Sequence, residues 1–219
     1  LTEDHIIVPV PDTSIPIAKS MSEELNVPYI EGLIKSNSSS RTFIEKEDKR
    51  KLLIESKLNI IPNTLKNKKV ILIDDSIVRG STLKKLTTFI HERGQAKEIH
   101  IRSACPPIKY PCYYGIDYPS QKELIAANSE HNKNGNPHAT LEHHLSQKFK
   151  TNSTHYLPYE NLMNVYKTLN HHPKNLCTAC LNCDYPTPKG NERFQQEKTN
   201  QNQQTERQTK QRTRKKQEK

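Results

Sequence analysis

The stretch Val70-Ile-Leu-Ile-Asp-Asp-Ser-Ile-Val-Arg-Gly-Ser-Thr82 decides the fold of this 219-residue chain. It begins with four apolar and mostly β-branched residues, a composition typical of a strand buried on both faces of a parallel sheet. Asp74 and Asp75 follow at the carboxyl end of that strand, where ligands of open α/β sheets bind. Gly80 then permits a tight turn, and a helical pattern opens near Leu83. The stretch therefore predicts a strand, a ligand-binding loop and a helix in succession.

Other apolar runs extend this pattern along the chain. Strands are predicted at residues 6–10, 70–73 and 99–102, and helices are predicted over residues 17–25 and 83–93. Alternating strands and helices form parallel sheets with right-handed crossovers. The sequence therefore predicts an α/β fold in which a mostly parallel sheet is flanked by helices.

The loop after the central strand carries two kinds of recognition group. Asp74 and Asp75 can accept hydrogen bonds from sugar hydroxyls. The following amides and hydroxyls can cradle a phosphate at a helix start, and they belong to Ser76, Ile77, Val78, Arg79, Gly80, Ser81 and Thr82. A nucleotide-binding P-loop is excluded, because its Gly-Lys-Ser/Thr ending and longer glycine-rich loop are missing. Asp-Asp-Ser alone would equally suit a helix cap, but the whole stretch favours a site for a phosphorylated sugar.

These residues resemble the phosphoribosyl pyrophosphate (PRPP) loop of type I phosphoribosyltransferases, and the Ser-Ile-Val-Arg-Gly form resembles that of amidophosphoribosyltransferases. Five further segments resemble that family in the same order, and they are residues 8–14 (VPVPDTS), 41–44 (RTFI), 106–117 (PPIKYPCYYGID), 123–128 (ELIAAN) and 177–180 (CTAC). The resemblance covers residues 6–188. It implies a type I phosphoribosyltransferase fold and an enzyme that joins ammonia to C1 of PRPP with release of pyrophosphate, the first step of purine synthesis.

The resemblance also assigns ligand-binding roles. It implies that Asp12, Thr13 and Ser14 bind PRPP together with Asp74, Asp75 and the loop that follows them. It implies that Thr13 and the two aspartates hold Mg²⁺, a small ion that needs few protein ligands. Without the resemblance, the turn that contains Asp12 would be read as an ordinary one.

The resemblance implies that Lys35 and Arg41 are catalytic. In the family they bracket a loop that closes over PRPP, where positive charge stabilises the departing pyrophosphate. Family members carry Asn-Arg-Tyr-Val-Gly between these two positions, whereas this chain has Ser-Asn-Ser-Ser-Ser at residues 36–40. We therefore expect a weakened enzyme with poor ammonia channelling. The alternative is a PRPP-binding regulatory protein without turnover.

The five cysteines suggest a second site. An odd number in a chain with no sign of secretion argues against a disulfide framework. Cys177, Cys180 and Cys183 are spaced to bind one metal ion or iron–sulfur cluster, with zinc as the alternative occupant. The resemblance implies a 4Fe-4S cluster on Cys112, Cys177 and Cys180, with a fourth ligand upstream of this chain; Cys183 is either a substitute ligand or a free thiol. Cys105 is expected to pack as a small apolar side chain.

Composition divides the chain into two parts. Residues 1–188 are predicted to form a phosphoribosyltransferase domain that lacks the family's glutaminase domain and an N-terminal part. Residues 189–219 are predicted to be a disordered basic tail, because from residue 190 onward the chain has eight Gln and nine Lys or Arg against four Glu, and Phe194 is its only aromatic residue. The polar stretch 128–154 is expected to form helix and loops.

Charge and hydropathy limit the function classes. Half of the net charge of +10 lies in the tail, so an RNA-binding protein is a third reading that rests on the tail alone, and no specific nucleic-acid partner is predicted. No apolar run approaches the ~20 residues of a membrane span, and no signal-peptide pattern is present; we expect a cytoplasmic protein. The resemblance implies glutamine or ammonia as co-substrate, purine nucleotides as inhibitors and a homo-oligomer.

Overall fold

A computed structural model describes residues 1–35, 58–116, 120–128 and 141–200. Arg41, the serine-rich segment before it and the end of the predicted tail, residues 201–219, lie outside the described residues. Six strands are described, and in chain order they are β1 (His5–Pro9), β2 (Leu33–Lys35), β3 (Leu58–Ile60), β4 (Lys69–Asp74), β5 (Glu98–Ser103) and β6 (Ser153–Tyr156).

Helices connect these strands. They are α1 (Ile15–Leu25), α2 (Ser81–Phe89), α3 (Ile125–Asn128), α4 (Leu141–Phe149), α5 (Tyr159–Thr168) and α6 (Ala179–Asn182). A π-helical turn, Ile90–Gly94, continues α2, and two 3-10 turns cover Gln121–Glu123 and Pro173–Asn175. Residues 188–200 are also helical, and we call them α7. None of the helices in the described ranges is long and apolar enough to cross a bilayer.

Four of the strands form one parallel sheet in the order β1-β4-β5-β6, and β2 and β3 form a separate antiparallel ribbon. Pro9 at the end of β1 pairs with Ile73 of β4, and Asp74 at the end of β4 pairs with Ser103 of β5. The carboxyl ends of the three strands therefore meet at one edge. The predicted mostly parallel sheet flanked by helices is confirmed.

Both faces of β4 are buried, which explains its continuous apolar run. On one face, α2 and α4 cover a large cluster that includes Ile6, Val8, Val70, Leu72, Leu86, Ile99, Ile101, Leu145 and Phe149. On the other face, α1 covers a smaller cluster of Ile7, Ala18, Val27, Ile71 and Ile73. Successive residues of a strand point to opposite faces, so one short run fills two cores.

Three boundaries differ from the sequence prediction. The helix predicted over residues 83–93 is α2 followed by a π-helical turn. The stretch 128–154, expected to be helix and loops, also contributes β6, the edge strand of the main sheet. The predicted tail begins as a helix, because residues 189–200 belong to α7. In the last two cases, packing against the rest of the chain outweighs a polar local composition.

An aromatic cluster attaches α7 to the domain. Phe194 is buried with Ala179 and Tyr185, and its ring meets that of Tyr110 edge-on at 5.7 Å between centroids. Tyr113 also donates a hydrogen bond to Glu197 at 2.9 Å. A single aromatic residue in a polar segment thus supplies the apolar contact that holds the helix.

We expect Phe194→Ala to release α7 without unfolding the sheet. Removing a buried aromatic side chain costs about 3–5 kcal/mol where the site cannot collapse, and here the loss falls on one terminal helix. Limited trypsin digestion with mass spectrometry should show faster cleavage after Arg193 and Lys198. The exposed Gln195→Ala variant is the matched control, and equal cleavage rates for both variants would contradict the assignment.

Candidate active site

Residues 76–82 join the end of β4 to the first turn of α2 at the carboxyl edge of the sheet, and we call them the phosphate loop. Together with Asp74, Val10 and the first turns of α2, it lines a cavity of about 270 Å³. Gly80 is the residue before the helix and has φ of +71°. The loop therefore delivers backbone amides to the amino end of a nine-residue helix, where anions bind favourably.

Two constraints make Gly80 the residue at this turn. Its positive φ favours glycine. A Cβ built there would also lie 2.4 Å from the Cδ1 atom of Ile125 and 3.1 Å from the Cζ atom of Phe149. The phosphate loop is consequently pressed against side chains from α3 and α4.

Asp74 and Asp75 stand directly before the phosphate loop. Burial, together with the hydrogen bond and charge of Asp75, raises the pKa of Asp74 to about 7. The ionised form of Asp74 is therefore disfavoured in the free protein. A divalent cation or a hydroxyl donor would give that carboxylate an attractive partner.

The turn after β1 is joined to this edge. The Val10 amide donates to the Ile73 carbonyl at 2.8 Å, so the turn 11–14 begins beside the end of β4. Asp12 and Thr13 are exposed there, whereas Ser14 is fully buried. The Ser14 hydroxyl donates to the Val10 carbonyl, so this side chain, which was predicted to bind PRPP, is buried and bonded within the turn.

Lys35 reaches the same turn from the end of β2. Its ammonium group forms an ion pair with Asp12, and both side chains are more than half exposed. The structure thus brings together two residues that are 23 positions apart in sequence. Arg41, the other predicted cation, lies outside the described residues.

Arg79 is the one charged side chain of the phosphate loop, and it binds a residue that the sequence analysis did not single out. Its Nε atom donates to Glu123 Oε2 at 2.8 Å. Glu123 opens the ELIAAN segment, which was noted only as a resemblance. The side chain of Ile77 is buried in the core. Ile77 can therefore contribute to ligand binding only through its backbone.

The cysteines separate into two environments. Burial raises the pKa of the Cys180 thiol, and the nearby thiolate charges of Cys112 and Cys177 add to the rise. Cys105 belongs to this neighbourhood: burial raises its pKa to about 11, and the charge of Cys180 contributes. Cys183 instead packs against the aromatic cluster with a φ of +69°.

The main chain explains why Cys112 and Cys180 approach each other. The amides of Lys109 and Tyr110 donate to the Cys180 carbonyl at 2.9 and 3.1 Å, which docks the 105–112 segment on α6. The three predicted cluster ligands therefore share one part of the fold. Even so, no three His, Cys, Asp or Glu side chains of the described ranges are already arranged to hold a metal ion.

We expect Asp74→Asn to stabilise the metal-free protein above neutral pH. The pKa of Asp74 is raised from its ordinary value of 3.8 to about 7, so folding favours the protonated acid and its stability falls as pH rises from about 4 to 7. Asparagine does not ionise, so the variant avoids the free-energy cost of ionising Asp74, which reaches about 4 kcal/mol at most. Urea unfolding in EDTA should give a gain of about 2–4 kcal/mol at pH 8 and a clearly smaller gain at pH 5.

The exposed Asp4→Asn variant is the matched control for this prediction and should show no such pH dependence. A gain at pH 8 no larger than at pH 5 would contradict a buried, proton-holding Asp74.

Comparisons with known proteins agree with this geometry. A family model described as "Phosphoribosyl transferase domain" matches residues 2–134. The amidophosphoribosyltransferase of Methanocaldococcus jannaschii is 38% identical over 183 residues, which are 83% of this chain and 35% of the relative. That of Methanothermobacter thermautotrophicus is 41% identical over 184 residues, 84% of this chain and 36% of the relative. The chain thus spans little more than a third of these curated relatives.

Solved structures give the same result. The glutamine PRPP amidotransferase from B. subtilis, solved in complex with ADP and GMP, superposes with a TM-score of 0.69 at 31% identity, over 84% of this chain and 38% of that one. The structure described as the allosteric regulatory enzyme of purine biosynthesis superposes with a TM-score of 0.68 at 32% identity, over 84% and 37%. The parallel sheet, the loop at its carboxyl edge and the match over residues 2–134 together show that this chain belongs to the phosphoribosyl transferase domain family.

Proposed function

We propose that the chain is the phosphoribosyltransferase part of an amidophosphoribosyltransferase. The reaction joins ammonia, derived from glutamine, to C1 of PRPP with release of pyrophosphate and formation of 5-phosphoribosylamine. The observation that carries the proposal is the pairing of buried Asp74 with Asp75 directly beside the phosphate loop. Carboxylates for a ribose and amides for its 5-phosphate then lie at one edge of the sheet.

The chemistry requires positioning and electrostatics more than covalent help. Departure of pyrophosphate leaves positive charge at C1 of the ribose, so the site must hold the sugar in line with the nucleophile and exclude water. Asp74 and Asp75 accept hydrogen bonds from the 2- and 3-hydroxyls. The amides and hydroxyls of the phosphate loop hold the 5-phosphate, since a helix begins at Ser81.

Mg²⁺ fits the donor chemistry of this edge. Thr13, Asp74 and Asp75 offer hard oxygen ligands, which this ion prefers, and a bound cation would favour the ionised form of Asp74, which burial disfavours in the free protein. When bound, the ion would neutralise charge on the pyrophosphate. Support for this role comes from the chain's own carboxylates and from the resemblance.

Lys35 and Arg41 are proposed to act on the leaving group. In the free protein Lys35 is paired with Asp12, beside the turn that would hold pyrophosphate. We infer that Lys35 exchanges this carboxylate for a pyrophosphate oxygen when PRPP binds. Arg41 receives its role from the resemblance alone.

A second candidate is a PRPP-binding regulatory protein with little or no turnover. The serine-rich sequence at residues 36–40 favours it, because it replaces the Arg, the aromatic residue and the Gly of the family pattern. Such a protein would keep the phosphate loop and the paired aspartates while lacking a competent closing loop.

Pyrophosphate release separates the two candidates. The chain is incubated with PRPP, Mg²⁺ and high ammonium at a pH that supplies free ammonia, and pyrophosphate is measured with a coupled assay. We expect release that falls at least about 100-fold in Asp74→Asn/Asp75→Asn, since hydroxyl and metal binding are both lost. PRPP binding without release would instead support the regulatory protein, and no PRPP binding would contradict both.

A 4Fe-4S cluster is proposed on Cys112, Cys177 and Cys180, with a fourth ligand that the resemblance assigns to a more N-terminal segment of such enzymes. The support is the proximity of Cys112 and Cys177 to half-buried Cys180. Cys183 is the weaker candidate, because its neighbouring charges are Lys198 and Asp184. Thiolates suit iron–sulfur clusters and zinc alike.

Anaerobic reconstitution with iron and sulfide tests this cluster. We expect the broad visible absorption of an iron–sulfur chromophore, its loss in Cys180→Ser and its retention in Cys183→Ser. A colourless protein that binds zinc stoichiometrically would contradict the iron–sulfur assignment. Equal loss in both variants would make Cys183 a ligand.

The same family resemblance extends the proposal to the domains, regulation and assembly of the whole protein. Residues 1–188 are assigned to the catalytic domain and 189–219 to an accessory basic tail. A glutaminase domain would supply ammonia, purine nucleotides would inhibit, and the protein would form a homo-oligomer. Support for nucleotide regulation is the B. subtilis structure, which was solved with ADP and GMP.

A further inference from the structure

One segment outside the assigned site packs directly against the phosphate loop. It is residues 120–128, which we call the brace. The Ile125 amide donates to the Val78 carbonyl at 2.8 Å, and the Ile125 side chain closes on Gly80 so tightly that a Cβ there would lie 2.4 Å away. Leu124, Ile125 and Ala126 are all buried. The brace is therefore packed directly onto the phosphate loop.

A charged contact completes the attachment. Arg79 Nε donates to Glu123 Oε2 at 2.8 Å, while the Ser120 hydroxyl donates to Glu123 Oε1 at 3.2 Å. Both oxygens of the carboxylate are engaged, so its orientation is fixed. The hydrogen bond from Arg79 is also the main cause that lowers the pKa of Glu123.

The brace is itself held in shape by Asn128. Its Nδ2 atom donates to the carbonyls of Gln121 at 2.9 Å and Leu124 at 3.0 Å, and also to that of Lys122. Asn128, which follows Glu123 in sequence, thereby stabilises the turn that carries Glu123. The backbone that carries Glu123 is therefore held by hydrogen bonds that do not involve Arg79.

A phosphate site made of backbone amides binds well only if the loop already has the right shape, since an ordering cost would be subtracted from affinity. The phosphate loop is bordered on one side by a rigid strand and on the other by a helix, but its middle has a single cation. The contact between Arg79 and Glu123 ties the middle of the loop to the brace.

We propose that Glu123 is a positioning residue for this site: by holding Arg79 it keeps the phosphate loop in its ligand-ready shape in the free protein. Glu123 does not touch the reacting atoms. The inference rests on the proposed function for the identity of the ligand, but the bracing of the loop is a property of the free chain.

The experiment uses the full chain and three variants, Glu123→Gln, Arg79→Gln and the double variant, with exposed Glu160→Gln on α5 as the matched control. Hydrogen–deuterium exchange of the free chain reports the amides of residues 77–82. Calorimetric titration with PRPP and Mg²⁺ reports binding. Because the ion pair is more than a third exposed on both sides, loss of the pair should leave the chain folded, and circular dichroism checks this.

We expect Glu123→Gln to speed exchange of the phosphate-loop amides and to weaken PRPP binding about fivefold, the size of one good ion-pair coupling. In the Arg79→Gln background the same change should add little, since the two residues act as a pair. Glu160→Gln should behave as the unaltered chain. A role limited to general stability would give additive effects and no localised exchange.

Unchanged exchange and unchanged affinity in Glu123→Gln would overturn the inference, as would full additivity with Arg79→Gln. An unaltered chain that fails to bind PRPP would contradict the proposed function, and localised faster exchange in Glu123→Gln would then still support bracing of the loop. The two claims are thus tested by different readouts.

Discussion

A buried carboxyl group at the end of a parallel strand is the constraint on which this structure depends. Asp74 ends β4, whose four preceding residues are buried on both faces of the sheet. The strand cannot shift without exposing that core, so Asp74 and Asp75 are fixed at the edge. There, burial holds the pKa of Asp74 near 7. The free protein carries an electrostatic cost that a bound cation and sugar would relieve, which is typical of functional sites.

The rest of the site follows from that edge. The turn after β1 begins beside the end of β4 because the two strands are paired in parallel. Gly80 lets the chain turn from Asp75 into α2, and the packing of Ile125 on Gly80 leaves room for no larger residue. The cavity is therefore lined from two regions of sequence, Val10 after β1 and residues between Asp74 and Leu86, and both regions pack against the apolar core.

Strands could be predicted from the sequence where an apolar local composition coincides with burial in the fold. Runs of β-branched residues predicted β1, β4 and β5 to within about one residue, and the phosphate loop was found from its own residue types. Burial that depends on distant partners could not be predicted. β6 has the polar sequence Ser-Thr-His-Tyr and is a strand because β5 pairs with it. Phe194 orders α7 through rings that lie far away in sequence, and Glu123 is 44 positions from Arg79.

The central claim is that Asp74, Asp75 and the phosphate loop together bind a phosphorylated ribose. A crystal structure of the chain grown with Mg²⁺ and PRPP tests it most directly. The account predicts the 5-phosphate within hydrogen-bond distance of the backbone amides of residues 77–82 and the ribose hydroxyls against the two carboxylates. Well-ordered PRPP bound elsewhere, with the loop cavity empty, would contradict it.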